Sequence, residues 1–224
     1  MRITWLGHSA FELEKDGKVL LIDPFITGNP AAPKGVSEIR ADAIAVTHAH
    51  GDHLGDALEI SKRTGAPVIA IFEIAQYLAG KGANTVGINM GGEVEVAGFR
   101  VAMVPATHSS TIMEGGRWLP GGCPAGFVID NKVYHAGDTG LFYGMKLIGE
   151  YYRPEVALLP IGGFYTMDVR QAAKAAELLG VKAVIPMHYN TFDVIRADPR
   201  ELERLLEPLG IKVYILRPGE SVEV

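Results

Sequence analysis

An α/β fold is what the sequence predicts, and three observations carry that prediction. Short apolar runs bounded by Gly, Pro and Asp recur at residues 19–22, 43–47, 67–71, 100–105, 126–129, 156–160, 183–186 and 211–216, each of strand length. Stretches of helical period lie between several of them, so strands and helices alternate along the chain. Two of the helices carry clear start and stop residues.

Taken in order, residues 2–6 (Arg-Ile-Thr-Trp-Leu) read as a strand. Residues 9–25 read as strand, Asp16-Gly17 turn and strand, closing on Asp23. The strand at 43–47 opens into a histidine-rich loop, and residues 56–64 and 72–80 read as helices. Residues 126–139 repeat the grammar of 9–25, with an Asp130-Asn131 turn and a closing Asp138. The strand at 156–160 then opens into a second unusual loop, 162–168, and a duplicated two-sheet core would explain the echo. Asp168 with Gln171 forms a capping-box signature for a helix that Gly180 stops. Asp198-Pro199 opens a helix over 200–209, stopped by Gly210. The segment 109–124 is rich in glycine and proline and reads as a mobile rim loop that closes over a cleft, not as a linker. No boundary falls inside the chain, so residues 1–224 are expected to form one domain.

Composition bounds the function. With 224 residues and 48% hydrophobic content there is ample material for one large core. Lys and Arg number 21 against 26 Asp and Glu, a net charge of −5, which disfavours a binder of duplex nucleic acid. Cys123 is the only cysteine and can form no intrachain disulfide. Met1 leads directly into the 2–6 strand with no secretory leader, so a reducing, cytoplasmic setting is expected. No apolar run approaches the roughly 20 residues needed to span a bilayer, and a soluble protein without a membrane partner is expected.

The strongest chemical signal is His48-Ala49-His50-Gly51-Asp52-His53, which packs three of the chain's seven histidines and a carboxylate into six positions. At a strand end His48 and His50 project to the same side, because side chains alternate with period two, and so could reach one cation. Gly51 would permit a sharp turn that aims Asp52 and His53 at a second. Further donors also end strands: His108 after 101–105, Asp138 after 133–136, and His188 after 183–187.

The order His48-x-His50-x-Asp52-His53, then His108, Asp138 and His188, resembles the metallo-β-lactamase superfamily over essentially the whole chain. The segments Trp5-Leu6-Gly7-His8-Ser9, Leu21-Ile22-Asp23-Pro24, Gly137-Asp138-Thr139, Gly162-Gly163 and Pro186-Met187-His188-Tyr189 further resemble its small metal-dependent hydrolase branch, which includes ascorbate-6-phosphate lactonase-like proteins. The resemblance implies a four-layer αββα sandwich with a two-metal site at one edge of the sheets. It implies that His48, His50 and His108 hold one cation, that Asp52, His53 and His188 hold another, and that Asp138 bridges them. It implies two divalent ions sharing one hydroxide, zinc in the first instance, with manganese, nickel or iron as alternatives. Asp52 and Asp138 are then the catalytic carboxylates. Proton delivery to the leaving group falls to Asp52, a metal-bound water, His8 or His135.

Metal-bound imidazoles need partners for their other ring nitrogen, and Asp23, closing an apolar strand before Pro24, is the leading candidate. His8 and His135 either support the site or serve structure alone. Tyr165, Thr166, Tyr189 and Asn190 sit on loops after strands and are candidates to line the substrate cleft, while Arg117 and Lys146 are the cations that could meet a substrate phosphate. The expected function is hydrolysis of a small-molecule ester, lactone or phosphodiester. An RNA-processing nuclease is disfavoured by the lack of a basic run, and a glyoxalase II-like thiolesterase by the lack of a C-terminal helical domain. Diiron redox relatives tend to place Glu at the position of His50 and to add a flavin domain, and this chain has neither. A metal-binding protein without turnover is the alternative from another class. The oligomeric state is left open, a homo-oligomer included.

Overall fold

The computed structural model describes residues 1–224. The first half runs β1 (Arg2–Trp5), β2 (Phe11–Lys15), β3 (Lys18–Ile22), β4 (Ala43–Ala45), α1 (Gly51–Leu54), α2 (Ala57–Thr64), β5 (Val68–Ile71), α3 (Phe72–Gly80) and β6 (Thr85–Ile88). The second half runs β7 (Glu93–Val96), β8 (Phe99–Pro105), β9 (Thr111–Glu114), β10 (Arg117–Pro120), β11 (Ala125–Ile129), β12 (Val133–His135), α4 (Gly144–Tyr152), β13 (Val156–Pro160), α5 (Val169–Leu179), β14 (Ala183–Met187), α6 (Pro199–Leu206), β15 (Lys212–Val213) and β16 (Ser221–Glu223).

These strands form two seven-stranded sheets, ordered β16-β1-β2-β3-β4-β5-β6 and β7-β8-β11-β12-β13-β14-β15. Read in those orders the sheets share one pattern. In the first, β16, β1, β2 and β3 pair antiparallel and β3, β4, β5 and β6 pair parallel. In the second, β7, β8, β11 and β12 pair antiparallel and β12 to β15 pair parallel. The hairpins at the switch point match too. Asp16-Gly17 joins β2 to β3 and Asp130-Asn131 joins β11 to β12, all four residues with φ between 51° and 74°, as a tight primed turn requires.

Parallel strands need crossovers, and α2, α3, α4, α5 and α6 lie in them. The helix α3 packs on β5 and β6, α5 on β13, and α6 on β15. The result is the αββα sandwich: helices outside, two sheets face to face within. One core cluster of 60 buried residues draws on both sheets, with Phe11, Leu20 and Ile44 from the first and Phe99, Phe127 and Tyr134 from the second. Each such side chain contributes about 1.5–3 kcal/mol on burial.

Helix punctuation acts as the local chemistry dictates. The Asp168 carboxylate accepts from the Gln171 amide at 2.8 Å, the Gln171 side chain accepts from the Asp168 amide at 3.1 Å, and Gly180 closes α5 with a φ of 65°. Asp198 accepts from the Arg200 amide to start α6, which ends at Leu206, with residues 207–209 tightening into a 3-10 turn.

Three expectations differ from the structure. The 109–124 segment is a β-hairpin rather than an irregular loop: β9 and β10 pair with Trp118 opposite Met113, and Gly115-Gly116 form the turn with positive φ. Thr111 and Ile112 before the paired glycines and Trp118 after them carry strand propensity that the glycine content masked. The 211–216 run forms only the two-residue β15. Apolar content predicts a longer strand, but the run lies at the sheet edge, where only Val184 and Ala183 offer partners. The helix α4 was not foreseen, because Gly144 to Tyr152 lacks a side-chain N-cap. No helix is long and apolar enough to cross a membrane.

Candidate metal centre

The strand β4 ends at Ala45, and the chain carries Thr47, His48 and His50 across the sheet edge before α1 begins at Gly51. His50 is the N-cap of α1, with φ −63° and ψ 149°. The reversal is therefore made by a helix start. Gly51 keeps a negative φ and a Cβ there would meet nothing within 4 Å, so the sharp glycine turn expected at Gly51 is not the device. Gly55 is: its φ is 41°, and a Cβ would lie 2.3 Å from the Pro24 carbonyl oxygen. That close approach seats α1 against the strand end that bears Asp23.

Asp23 is fully buried and its partners explain why. One oxygen accepts from the Thr47 amide at 2.8 Å; the other accepts from the Thr47 hydroxyl at 2.6 Å and from His53 Nδ1 at 2.7 Å. With its hydrogen given to Asp23, the Thr47 oxygen accepts from His48 Nδ1 at 3.1 Å. One carboxylate thus orients two histidines through their Nδ1 atoms and turns the Nε2 of both His48 and His53 toward the cluster. Thr47 was missed in the sequence. Its position next to His48 was the only signal, and a strand-end threonine is ordinary.

Gly137, with φ 61°, brings Asp138 in from β12. A Cβ there would lie 2.5 Å from the Ala125 oxygen and 2.9 Å from Thr47 Cβ, so only glycine lets this loop close on the β4 edge. His108 follows β8 and His188 follows β14.

The side chains meet in three overlapping groups whose donor atoms lie within 4.8 Å of one another: His48, His50 and His108; His48, His53 and Asp138; and Asp52, His53, His188 and His8. His48 Nε2 lies 3.0 Å from His50 Nδ1. Asp138 Oδ1 lies 3.2 Å from His53 Nε2, and Oδ2 lies 3.0 Å from His188 Nε2 and 3.7 Å from His108 Nε2. Asp52 Oδ2 lies 3.7 Å from His188 Nε2 and 3.9 Å from His53 Nε2. Nitrogens at about 2.0–2.1 Å from a tetrahedral ion stand roughly 3.3 Å apart, the range seen here.

A metal fits these residues on a second ground. His53 Nε2, Asp138 Oδ1 and both nitrogens of His188 are buried with no hydrogen-bond partner, although two of those atoms are 3.2 Å apart. His53 Nε2, Asp138 Oδ1 and His188 Nε2 fall within the cluster, while His188 Nδ1 lies on the other edge of its ring. Buried polar atoms without partners are expensive, and a cation supplies the missing one.

The electrostatics split the cluster. Burial lowers the imidazoles of His48, His50 and His108, keeping them unprotonated and ready as donors. Burial also opposes charge on His53 and His188, but Asp138 with Asp23 or Asp52 outweighs it, raising His53 well above its ordinary value and His188 to about 9. Burial opposes the charge of Asp138 and Asp52 as well, yet neighbouring imidazoles hold both carboxyls below the usual range.

A cavity of about 300 Å³ opens over the cluster, lined by His50, Asp52, His108, Ser109, Asp138, Tyr165 and His188. Asp52 is 30% exposed there, against 3% for Asp138. Ser109 and Ser110 anchor the β9–β10 hairpin beside it, the latter accepting from the Ala49 amide at 3.2 Å.

Of the cleft candidates only Tyr165 lines this cavity. Thr166 is half-buried with its hydroxyl toward the Met167 carbonyl at 3.4 Å. Tyr189 is buried and stacks on Trp5 at 5.6 Å, with its phenol pushed up to about 12 by burial. Asn190 ties its own loop together through the Ala197 amide and carbonyl, both at 3.0 Å. These two are corrections: the positive φ of His188 and Asn190 turns alternate side chains away from the cleft, which no linear reading of the loop reveals. His135 also stands off the cluster. It accepts from the Gly137 amide at 3.1 Å and so donates to the Ser9 carbonyl at 3.0 Å, bracing the backbone before Asp138. Lys146 lies on a groove between α4 and α5, and Arg117 is exposed on β10; neither lines the cavity.

Comparison with known proteins places this geometry. The model of the beta-lactamase superfamily domain matches residues 18–189. A UPF0173 metal-dependent hydrolase of Methanopyrus kandleri is 56% identical over 229 residues, covering 100% of both chains. One of Methanosarcina mazei is 53% identical, covering 100% of this chain and 99% of that one. Among solved structures, Igni18, a novel metallo hydrolase from the hyperthermophilic archaeon Ignicoccus hospitalis, superposes with a TM-score of 0.90 at 48% identity, covering 99% of this chain and 97% of its own.

Proposed function

The chain belongs to the beta-lactamase superfamily and to a set of metal-dependent hydrolases within it, and from that premise we propose that it hydrolyses a small neutral ester or lactone at a site for two divalent cations, zinc in the first instance. The observation that carries this reading is the convergence of seven donors with buried, unpartnered Nε2 and carboxylate atoms beneath an open cavity. When bound, such a pair of ions supplies a water of lowered pKa and polarises the scissile carbonyl.

This chain's residues do the rest. His48, His50 and His108 hold one ion, Asp52, His53 and His188 hold the other, and Asp138 faces both groups. Asp23 and Thr47 engage the Nδ1 atoms of His53 and His48, so that the Nε2 of each ring is the nitrogen presented to an ion. Asp52, the carboxylate most open to the cavity, takes the proton from the attacking water and passes it to the leaving group. A neutral acyl substrate is favoured over a phosphodiester because no Lys or Arg lines the cavity, while Tyr165, 58% exposed, offers an apolar face. The protein acts on a small molecule in this reading, without nucleic acid or membrane.

The test is metal analysis joined to a panel of aryl esters, lactones, thioesters and phosphodiesters, run on the parent and on His50→Ala and Asp138→Ala. Two ions per chain and ester or lactone turnover, both lost in the variants, are expected. A parent that carries metal but turns over nothing would favour a binding protein. Turnover confined to phosphodiesters would overturn the substrate class.

A further inference from the structure

We propose that His8 is a positioning residue for the second cation site, holding Asp52 through its side chain and His188 through its backbone; this rests on Asp52, His53 and His188 being metal donors. His8 is fully buried, at the turn after β1, and its Nε2 lies 3.0 Å from Asp52 Oδ2. An ionised carboxylate only accepts, so Nε2 carries the hydrogen and Nδ1 is the acceptor. Thr191 Oγ1, 2.9 Å from Nδ1, is placed to donate to it. The chain Thr191 to His8 to Asp52 therefore has one consistent direction.

Both His8 nitrogens are satisfied, whereas the facing atoms of His53 and His188 are not. That contrast separates a residue that orients from residues that ligate. The backbone does the second part of the work. The His8 carbonyl accepts from the His188 amide at 3.0 Å and from Trp5 Nε1 at 3.0 Å, and the residue adopts a φ of 55° to present it. Left-handed backbone at a residue other than glycine persists where surrounding contacts hold it. Phe25 and Phe192 stand edge-on to the buried imidazole at 5.7 and 5.5 Å and pack it in place.

The experiment is calorimetric zinc titration of chelator-stripped parent, His8→Phe, His8→Gln and Thr191→Val, with cobalt(II) spectra of the loaded forms. The parent takes up two ions. His8→Phe keeps the ring volume without the donor and weakens the second ion alone by about 10–100-fold. His8→Gln keeps an N–H for Asp52 and stays within severalfold of the parent, with an unchanged cobalt spectrum. Thr191→Val falls between. In an Asp52→Asn background, His8→Phe adds no further loss.

Parent-like affinity in His8→Phe or in Thr191→Val overturns the proposal, as does a changed cobalt spectrum in His8→Gln, which would make His8 a ligand. If His8→Phe does not fold, the Gln and Val variants decide by the same readings. A parent that binds no second ion defeats the two-cation reading itself, and that outcome is visible before any variant is made.

Discussion

The two halves of the molecule present the same strand pattern and then use it differently. The turn after β1 is Gly7-His8-Ser9 and the turn after β8 runs Thr107-His108-Ser109; the β2–β3 hairpin ends at Asp23 and the β11–β12 hairpin leads to Asp138. In the second half both residues face the cluster, His108 beside His48 and His50, and Asp138 between the histidine groups. In the first half both are turned to hydrogen bonding, His8 with Asp52 and Thr191, and Asp23 with Thr47 and His53. The loops after the next strands reverse the bias. The loop after β4 carries four donors, and the 162–168 loop after β13 carries none into the cluster. Equivalent scaffold positions thus divide into residues that face the candidate metal cluster and residues that fix those residues. What decides the division is whether a polar side chain finds a protein partner: Asp23 has three, and Asp138 Oδ1 has none.

Chelation probes that division most strongly. Stripping the ions should abolish turnover, and it should remove about 4 kcal/mol of stability relative to protein with free zinc at 1,000 times Kd, read as a lower Tm by calorimetry. No change in Tm would mean that the unpartnered atoms are not held by metal.

The paired aspartates give the next effect. Asp138→Asn should reduce kcat by roughly 10²–10³-fold, because it removes a carboxylate facing both groups. Asp23→Asn should lower metal affinity by about 10–100-fold, in steady-state assays and zinc titration, because it acts through His48 and His53. Equal losses in the two would erase the distinction between the halves.

Protons should separate the two cation groups. In metal-free protein the His188 pKa is raised from 6.5 to about 9, so its stabilisation is present below pH 6.5 and is lost as pH rises toward 9. His48, His50 and His108 are lowered, so their contribution is present above pH 6.5 and is lost on acidification. Zinc titration from pH 6 to 9 should therefore show one binding event nearly independent of pH and a second that tightens as protons leave His188 and His53. Parallel pH dependence in both events would contradict the split.

The smallest expected effect is at the cavity wall. Tyr165→Ala should cost about 1 kcal/mol of substrate binding, seen as a raised KM with kcat little changed. The same change at Tyr189, stacked under Trp5, should lower Tm instead.

Much of this was legible from residues alone. The α/β class followed from strand and helix periodicity and the αββα layering from the resemblance alone, the repeat from two Asp-bearing turns, and the candidate donors from histidines and aspartates at strand ends. Those signals survive in one dimension because each depends on local spacing: period two in strands, primed turns, caps at Asp168 and Asp198. The hairpin at 109–124 and the roles of Thr47 and Thr191 were not legible, since each depends on a partner distant in sequence. Tyr189 and Asn190 were misplaced because a left-handed residue at His188 rotates everything after it.

The sequence by itself determined which side chains could hold metal, for donor chemistry is a property of residue type. Only the tertiary structure decided which of them face the cluster and which orient the others. Asp23 and Asp138 are the same residue after equivalent strands, and no linear pattern separates them. Burial beside Thr47 and His53 satisfies the first, and burial leaves an oxygen of the second without a hydrogen-bond partner, open to a cation in the proposed reading.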